Sequence, residues 1–283
     1  MSDVVYLNGS FINRNEARIS PDDRGFIFAD GVYEVVKYYN GKAFRYNDHL
    51  ERLKRSIAEI ELKFDDLEGL ALIFNDLLRL NNLNEKHAGL YLQITRGTHK
   101  RIHHFPENTK PTVYAFAYHM PSFSDNLENG IDVITHDDIR WQRCDIKSVS
   151  LLPNTMMYNK AVENKAGECI LIRDGYVTEA THSSVLAVKD GKVITRPLSN
   201  LILPGITRKV ILEICAANGI VVEERLFSES ELFFMDELII AGTGSEVTPV
   251  VSVNGKPVGS GKPGKITRFI QQKFFDLVAE TAN

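Results

Sequence analysis

The first part of the chain alternates apolar and polar residues with a period of two, which is typical of β-strands with one buried face. Two pairs of such runs are each separated by Asn-Gly, at Asn8-Gly9 and at Asn40-Gly41. Asn-Gly suits a two-residue turn of type I′, because both turn positions need positive φ. The sequence therefore predicts two β-hairpins, formed by residues 4–7 with 10–12 and by residues 32–39 with 42–46.

The pattern then changes to the spacing of an amphipathic helix. Apolar residues recur every three or four positions from Leu50 to Ile60, and Asn47 or Asp48 can cap the helix N-terminus. A second helix is predicted at residues 67–80, and strands are predicted at 89–95 and 112–118. Because residues 120–125 form a polar, proline-containing segment, we expect a domain boundary after residue 120.

The second half interleaves short apolar runs with helical patterns. Asp174-Gly175 and Asp190-Gly191 predict hairpin turns among strands at 168–173, 184–188 and 193–195. Pro204-Gly205 predicts the start of a helix at 206–218, with other helices at 156–165 and 266–279 and short strands at 221–224 and 237–241. The predicted fold class is α/β (α+β), with a smaller N-terminal domain of residues 1–120 and a larger C-terminal domain of residues 121–283.

Composition excludes several classes of protein. The chain has 33 Lys and Arg against 37 Asp and Glu, and its net charge of −4 is too small to indicate binding to nucleic acid or a membrane surface. Cys144, Cys169 and Cys215 are widely spaced, as expected of reduced thiols and not of disulfides or a zinc site. No apolar run is long enough to span a bilayer, and the first residues lack a signal-peptide pattern. We expect a cytoplasmic protein with no metal, nucleic-acid or membrane partner.

Lys147 is a candidate nucleophile. It lies in the charged segment 143–148, and small and apolar residues follow it. A lysine that is half-buried among apolar groups loses part of its preference for the charged form. The neutral amine is the nucleophile that Schiff-base chemistry needs. A surface lysine is the commoner interpretation of this stretch when it is taken alone.

Two glycine-containing turns of the second half can bind an anion. The turn at 203–205 leads into the helix that begins at Ile206, and a helix N-terminus presents free N–H groups and the positive end of the dipole. The turn Gly242-Thr243-Gly244-Ser245 follows an apolar strand and suits a nest of backbone amides with hydroxyl donors. Each is an ordinary turn by itself, but together they fit one phosphate held from two sides.

Two other features have both a functional and an ordinary interpretation. Arg101 and His103 lie in a basic loop, where a guanidinium can bind a carboxylate through a bidentate fork, although a solvated loop is an equal alternative. Glu179 is a lone carboxylate among small and hydroxyl-bearing residues between two predicted strands. It indicates either a shaped pocket or a solvated turn, and the turn is the commoner case.

Motifs along nearly the whole chain resemble the fold-type IV pyridoxal-phosphate enzymes, and most closely the D-amino acid aminotransferases. The matching stretches, in chain order, are Asp22-Asp23-Arg24-Gly25 with Asp30-Gly31-Val32-Tyr33-Glu34, His49-Leu50-Glu51-Arg52, Thr95-Arg96-Gly97-Thr98 with Arg101-Ile102-His103, Arg140-Trp141 with Asp145-Ile146-Lys147-Ser148, Thr178-Glu179, Leu203-Pro204-Gly205-Ile206-Thr207-Arg208 and Ser245-Glu246-Val247-Thr248-Pro249.

The resemblance implies a two-domain homodimer whose active sites lie at the domain and subunit interface. It implies that Lys147 carries pyridoxal 5′-phosphate as a Schiff base and that Glu179 pairs with the pyridine nitrogen, which makes both residues catalytic. The implied ligands of the cofactor phosphate are Arg52, Ile206, Thr207 and Thr243. The implied ligands of the substrate α-carboxylate are Tyr33 and, contributed by the partner subunit, Arg101 and His103.

The implied reaction is transamination between D-amino acids, such as D-alanine and D-glutamate, and 2-oxo acids, such as pyruvate and 2-oxoglutarate, through a Lys147 aldimine. Branched-chain aminotransferases, (R)-amine transaminases and aminodeoxychorismate lyases of the same fold are alternatives, as is a non-catalytic pyridoxal-phosphate carrier. The carboxylate-binding set favours D-amino acids. Ala180 and Ser184 depart from the Gly and Asn that the family usually has, so the wall behind the cofactor ring and the substrate side-chain pocket are expected to differ.

Overall fold

The computed structural model describes residues 3–282. The expectation about a signal peptide was based on residues 1–4, of which Met1 and Ser2 lie outside this range. The chain divides into two units. The first contains residues 3–121, the segment Ile146–Ser150 and residues 281–282, and the second contains Ser122–Asp145 and Leu151–Glu280. The predicted boundary after residue 120 stays a prediction. Lys147 falls in the first unit in this division, whereas the sequence placed it in the domain of residues 121–283.

The first unit is built on an antiparallel sheet. Its strands are β1 (Val4–Leu7), β2 (Ser10–Asn13), β3 (Gly31–Tyr39), β4 (Lys42–Ala43), β5 (Ala88–Thr95) and β6 (Thr112–His119). Within residues 3–282 these six strands are ordered β2-β1-β6-β5-β3-β4. Both predicted hairpins are confirmed, because Leu7 pairs with Ser10 and Tyr39 pairs with Lys42. All four turn residues have positive φ, between 48° and 97°, as a type I′ turn requires.

Three helices accompany this sheet: α1 (Arg24–Phe28), α2 (Tyr46–Glu59) and α3 (Leu70–Leu80). The apolar residues of α2 and α3 pack on the strands in one buried core that includes Leu53, Ile57, Phe74, Leu77 and Leu78. The predicted cap of α2 was wrong. The helix begins at Tyr46 after Arg45, which has a left-handed conformation and makes no side-chain capping bond. The strand before it ends at Ala43, short of the predicted residue 46.

The second unit is built on a larger, mixed sheet. Its strands are β7 (Ile131–Asp137), β8 (Glu168–Arg173), β9 (Tyr176–Ala180), β10 (Ser184–Lys189), β11 (Lys192–Thr195), β12 (Val222–Glu224), β13 (Glu237–Gly242), β14 (Glu246–Val253) and β15 (Lys256–Pro257). The order in the described part of the chain is β12-β11-β10-β13-β14-β7-β8-β9, with β15 paired to β14. The pairs β11–β12, β14–β7 and β7–β8 are parallel.

The helices of the second unit are α4 (Ser124–Asn129), α5 (Leu152–Glu163), α6 (Ile206–Ala217) and α7 (Lys265–Ala282). The start of α6 at Ile206 confirms the prediction from Pro204-Gly205. Two predictions were wrong: α5 begins earlier than residue 156, and Glu179 lies inside a strand, β9, and not in a turn. No helix within residues 3–282 combines the length and the apolar character needed to cross a membrane.

Candidate active site

Lys147 lies on a short segment that is fixed between β3 and α2. Its backbone N–H donates to the Ser56 hydroxyl over 3.1 Å, and its carbonyl accepts from the Tyr33 N–H over 3.0 Å. The residue is half-buried, and Nζ lies 4.4 Å from the centroid of the Tyr33 ring. Ile146, directly before it, is buried in the core of the first unit. The lysine therefore stands on an anchored backbone with its amine over an aromatic face.

Glu34 follows Tyr33 in β3 and is buried against two residues of α2. Arg52 donates to its carboxylate from Nε over 3.0 Å and from Nη2 over 2.7 Å, and His49 Nδ1 lies 3.0 Å from Oε1. Burial alone would raise the pKa of Glu34, but Arg52 and His49 together hold this pKa well below its ordinary value. Lys147, Tyr33, Glu34, His49 and Arg52 form what we refer to as the lysine cluster.

Burial lowers the pKa of His49, against the opposing effect of the Glu34 carboxylate. We therefore assign a neutral ring whose Nδ1–H donates to Glu34. Glu34 and His49 received no role from the sequence, although a signal was present. His49 and Arg52 are three residues apart on one face of a helix, and Glu34 is a lone carboxylate in an apolar strand. The ion pair with Glu34 fixes the orientation of the Arg52 guanidinium.

Arg101 and His103 flank the ring of Phe28, the last residue of α1. The Arg101 guanidinium carbon is 5.2 Å from the centroid of that ring, and the His103 ring centroid is 5.6 Å away. Both side chains are exposed. Tyr33, the third predicted carboxylate ligand, contacts Lys147 and stacks on Tyr91. Within residues 3–282 the structure thus brings Arg101 and His103 together and groups Tyr33 with the lysine.

Glu179 is held by Arg140 in the second unit. Arg140 Nη1 donates to Oε1 over 2.5 Å, and the Leu203 N–H donates to Oε2 over 3.1 Å. Arg140 is itself fixed by a fork to Asp138, with Nε to Oδ1 and Nη2 to Oδ2 both at 2.9 Å. The Thr178 hydroxyl also donates to Asp138, over 2.9 Å. We refer to Glu179, Arg140, Asp138 and Thr178 as the glutamate cluster.

The two carboxylates of the glutamate cluster have opposite pKa shifts. Burial raises the pKa of Glu179 above its ordinary value, and Arg140 offsets only part of this effect. Burial also acts to raise the pKa of Asp138, but hydrogen bonds from Arg140 and Thr178 outweigh it and the pKa is lowered. Asp138 is therefore the permanent counter-ion of Arg140, and Glu179 is the carboxylate better able to share a proton. The sequence identified only Glu179 of this cluster.

Ser184 joins the two segments that were predicted to bind phosphate. It is the first residue of β10 and pairs with Ala241, next to the turn at residues 242–245. Its Oγ lies 2.5 Å from the position of a Cβ built on Gly205, the N-cap of α6. The helix α6 also packs against β13, which ends at that turn. The structure therefore groups three of the predicted phosphate ligands around these contacts: Ile206, Thr207 and Thr243.

The chemistry of these groups fits pyridoxal phosphate. Because α6 has no side-chain cap, its first backbone N–H groups remain available to an anion. A Cβ on Gly242 would stand 2.9 and 2.8 Å from the Oγ atoms of Ser183 and Ser245. The absence of a side chain at Gly242 therefore lets these two hydroxyl groups approach the backbone of the turn. The Glu179 carboxylate accepts two hydrogen bonds, and its remaining lone pairs can accept a further hydrogen bond from a ligand. The chain thus supplies a primary amine, a buried carboxylate and an uncapped helix N-terminus.

Comparison with known proteins agrees with this donor set. The family model described as amino-transferase class IV matches residues 31–253. A D-alanine aminotransferase of Staphylococcus haemolyticus is 45% identical over 272 residues, which are 95% of this chain and 96% of that protein. A D-alanine aminotransferase of Bacillus licheniformis is 42% identical over 98% of both chains.

Among solved structures, the branched-chain amino acid aminotransferase of Escherichia coli has a TM-score of 0.90 and 27% identity, and the match covers 98% of this chain and 94% of that one. The two sheets and their helices are thus the fold of the fold-type IV aminotransferases, as predicted. The chain belongs to the class IV aminotransferase family.

Proposed function

We propose that the protein is a pyridoxal-phosphate-dependent transaminase that moves the amino group between D-amino acids and 2-oxo acids. The expected pairs are D-alanine with pyruvate and D-glutamate with 2-oxoglutarate. Two relatives with more than 40% identity over nearly their whole length carry the name D-alanine aminotransferase. The lysine cluster, the glutamate cluster and the uncapped N-terminus of α6 supply the residue types that this reaction needs.

The observation that carries the choice of substrate is the environment of Arg101. Its guanidinium stacks on Phe28 beside His103 and has no ion-pair partner among residues 3–282. A guanidinium offers five N–H donors in a planar fork, which matches a carboxylate. A substrate α-carboxylate is therefore the ligand that this loop suits best, and the proposed set consists of Tyr33, Arg101 and His103.

The cofactor, when bound, supplies an aldehyde that condenses with amines and a ring that takes up electrons from the substrate. Lys147 Nζ would be the amine that holds the aldehyde of the bound cofactor, and the freed amine would accept the proton from the substrate α-carbon. The Tyr33 ring beneath Nζ attracts the amine in its protonated form. The anchored backbone of Lys147 limits the positions that Nζ can reach.

Glu179 holds the proton of the pyridine nitrogen in this proposal. Arg140 and the Leu203 N–H fix both carboxylate oxygens, so the carboxylate presents its remaining lone pairs in one orientation. Arg140 does not neutralise Glu179 completely, because its fork is directed at Asp138. The proposed phosphate ligands are the amides and hydroxyls of Ile206, Thr207 and Thr243, together with Arg52.

The proposed setting is a homodimer in the cytoplasm. The family resemblance supports the dimer, in which the loop of Arg101 and His103 would serve the neighbouring subunit. The cysteines Cys144, Cys169 and Cys215 are all free thiols, which accords with a reducing compartment.

A direct test mixes the purified protein, reconstituted with pyridoxal 5′-phosphate, with single D- and L-amino acids and follows the cofactor absorbance. D-alanine and D-glutamate should convert the spectrum to that of the aminated cofactor, and 2-oxoglutarate should restore it. Conversion by L-leucine or L-valine alone would favour the branched-chain alternative, which the 27% identity to the Escherichia coli enzyme keeps open. A bound chromophore that reacts with no amine would instead indicate a carrier.

A further inference from the structure

Two buried arginines share one carboxylate next to the loop that carries Arg101 and His103. Asp30 Oδ2 accepts from Arg24 Nε over 2.7 Å and from Arg96 Nε over 2.8 Å. Arg24 and Arg96 are 2% and 6% exposed. Two buried guanidinium groups on one carboxylate leave a net positive charge with little water around it, and such an arrangement adds little stability by itself. Arg24, Asp30 and Arg96 are referred to below as the Asp30 clamp.

The Asp30 clamp fastens the middle of the loop. Arg24 Nη1 donates over 2.7 Å to the carbonyl of Ile102, the residue between Arg101 and His103. On its other side, Arg96 donates from Nη1 and Nη2 to the carbonyls of residues 61 and 60, over 2.9 and 2.6 Å, just beyond the end of α2. The clamp therefore ties the loop backbone to the helix that carries two members of the lysine cluster.

The same arginines hold the two ends of the loop. The Arg24 N–H donates to the Gly97 carbonyl over 2.9 Å. The Arg96 guanidinium carbon lies 3.6 Å from the centroid of the Phe105 ring. The backbone from residue 97 to residue 105 is thus held at Gly97, Ile102 and Phe105, although the side chains of Arg101 and His103 are exposed.

Phe28 orients the side chains of Arg101 and His103. Its ring centroid lies 4.7 Å from the Arg24 guanidinium carbon and 5.2 Å from that of Arg101, and the His103 ring meets it edge-on. Stacking on an aromatic face orients a guanidinium without using its N–H donors. Phe28 therefore fixes Arg101 in a way that leaves all five donors for a ligand.

We propose that Phe28 and the Asp30 clamp are positioning residues that set the geometry of Arg101 and His103 before substrate arrives. They act through these two residues and not on the substrate, and this inference rests on the proposed function. A loop that is ordered in advance binds its ligand without the cost of ordering it at that moment. Loss of Phe28 or of the Asp30 charge should therefore weaken substrate binding more than it slows the chemical step.

The test compares the Phe28→Leu, Phe28→Tyr and Asp30→Asn variants with the wild-type protein, all loaded with the cofactor. Phe28→Leu should raise KM for D-alanine by about 3- to 30-fold, the range of a lost cation–π contact, while kcat and cofactor content stay near wild type. Phe28→Tyr keeps the ring and should keep KM. Hydrogen–deuterium exchange should be faster in peptides that cover residues 97–105 of Phe28→Leu and of Asp30→Asn.

The matched control is Leu77→Ala, which removes a buried side chain from the core of the same unit. It should lower the melting temperature without a change in KM or in exchange of residues 97–105, so general destabilisation is separated from positioning. Wild-type KM and exchange in Phe28→Leu and Asp30→Asn would overturn the inference while the proposed function stands. If the wild type reacts with no D-amino acid, the proposed function fails, and the exchange measurement alone then decides whether these residues order the loop.

Discussion

The hydroxyl oxygen of Ser184 occupies the space that a Cβ atom on Gly205 would need, only 2.5 Å away. The next nearest atoms to that position are the Cβ atoms of Arg208, at 3.5 Å, and of Ser184 itself, at 3.8 Å. Both distances are ordinary contacts. The steric conflict is therefore confined to one oxygen atom, at the N-terminus of the helix that we propose binds the phosphate.

Gly205→Ala should lower the free energy of unfolding by about 1–3 kcal/mol, as overpacking of a filled site does. It should also weaken the binding of pyridoxal phosphate, because relief of the conflict moves either the Ser184 hydroxyl or the first amides of α6, and both border the proposed phosphate site. The double variant Gly205→Ala with Ser184→Ala removes the obstructing oxygen and should recover most of both losses. Urea unfolding and absorbance titration with the cofactor measure the two effects.

Ser184→Ala alone is the control for this prediction, since it removes the hydroxyl without adding an atom. If the double variant binds the cofactor no better than Gly205→Ala, the conflict does not involve Ser184 and the proposed phosphate site is built differently.

Local chemistry explains which features could be predicted from the sequence. The turns at Asn8-Gly9 and Asn40-Gly41 and the start of α6 after Gly205 depend on a few adjacent residues, and the structure has them as predicted. The position of Glu179 was not predictable in this way. Its Thr-Glu-Ala context resembles a turn, and it lies in a strand because Arg140, 39 residues away, satisfies the carboxylate.

Glu34 and Asp30, like Glu179, depend on partners that are distant in the sequence. A carboxylate in an apolar strand or loop can be seen in the sequence, but its arginine partners are 18 and 66 residues away for the pairs Glu34–Arg52 and Asp30–Arg96. Tertiary packing selects these partners, so the sequence shows the two carboxylates but only the structure shows which arginines pair with them.

Glu34→Gln should change the pH dependence of stability. The pKa of Glu34 is lowered from its ordinary value of 4.5, so below pH 4.5 the unfolded chain binds the proton that the folded chain still excludes. The carboxylate therefore contributes its full stabilisation above pH 4.5 and loses it as the pH falls through the folded-state pKa. At pH 7 the variant should be less stable by about 3–5 kcal/mol, because Arg52 loses its buried counter-ion.

The measurement is urea unfolding of both proteins from pH 7 to the acid limit of folding. The difference in stability between wild type and Glu34→Gln should shrink as the pH falls below 4.5. Asp76→Asn, which removes an exposed ion pair with Arg79, is the control and should change stability by less than about 1 kcal/mol. A difference that is independent of pH would show that folding does not shift the pKa of Glu34.

Lys147→Ala should abolish covalent attachment of the cofactor. Borohydride treatment of the wild-type holoenzyme should attach the cofactor to the peptide that contains residue 147, and the variant should give no such product. Turnover of D-alanine should fall by about 10²- to 10⁴-fold or more, the contribution of a positioned acid–base group. Lys54→Ala, an exposed lysine on α2, is the matched control, and a Lys147→Ala protein with wild-type turnover would refute the assignment.

Glu179→Gln should retain the cofactor and slow proton transfer. Glutamine cannot hold a proton on the pyridine nitrogen through a charge pair, so the ring accepts electrons less readily. Single-turnover rates with D-alanine should fall by about 10²-fold or more, as for loss of a group that stabilises developing charge. Glu163→Gln, an exposed glutamate on α5, should react at the wild-type rate, and equal rates for the two variants would exclude Glu179 as the ring partner.

Arg101→Ala should raise KM for D-alanine strongly and reduce kcat/KM by about 2–4 kcal/mol, the range for a lost charge-assisted contact in the bound state. Within residues 3–282 the Arg101 guanidinium has no ion-pair partner, so no structural ion pair explains its position in the loop. Cofactor retention should not change, because Arg101 lies outside the lysine cluster and the glutamate cluster. Lys100→Ala removes a neighbouring exposed charge from the same loop and should leave KM nearly unchanged.

The subunit whose active site contains Arg101 can be found by mixing Lys147→Ala and Arg101→Ala chains at a D-alanine concentration so low that neither chain alone is active. If the loop serves the neighbouring subunit, each mixed dimer has one site with both substitutions and one site with neither, so activity returns. If the loop serves its own subunit, every site carries one substitution and activity stays absent. Subunit exchange is verified by mass spectrometry of differently tagged chains. Exchange without recovery would therefore assign Arg101 to its own chain, or place it outside the active site if the single substitution also leaves KM unchanged.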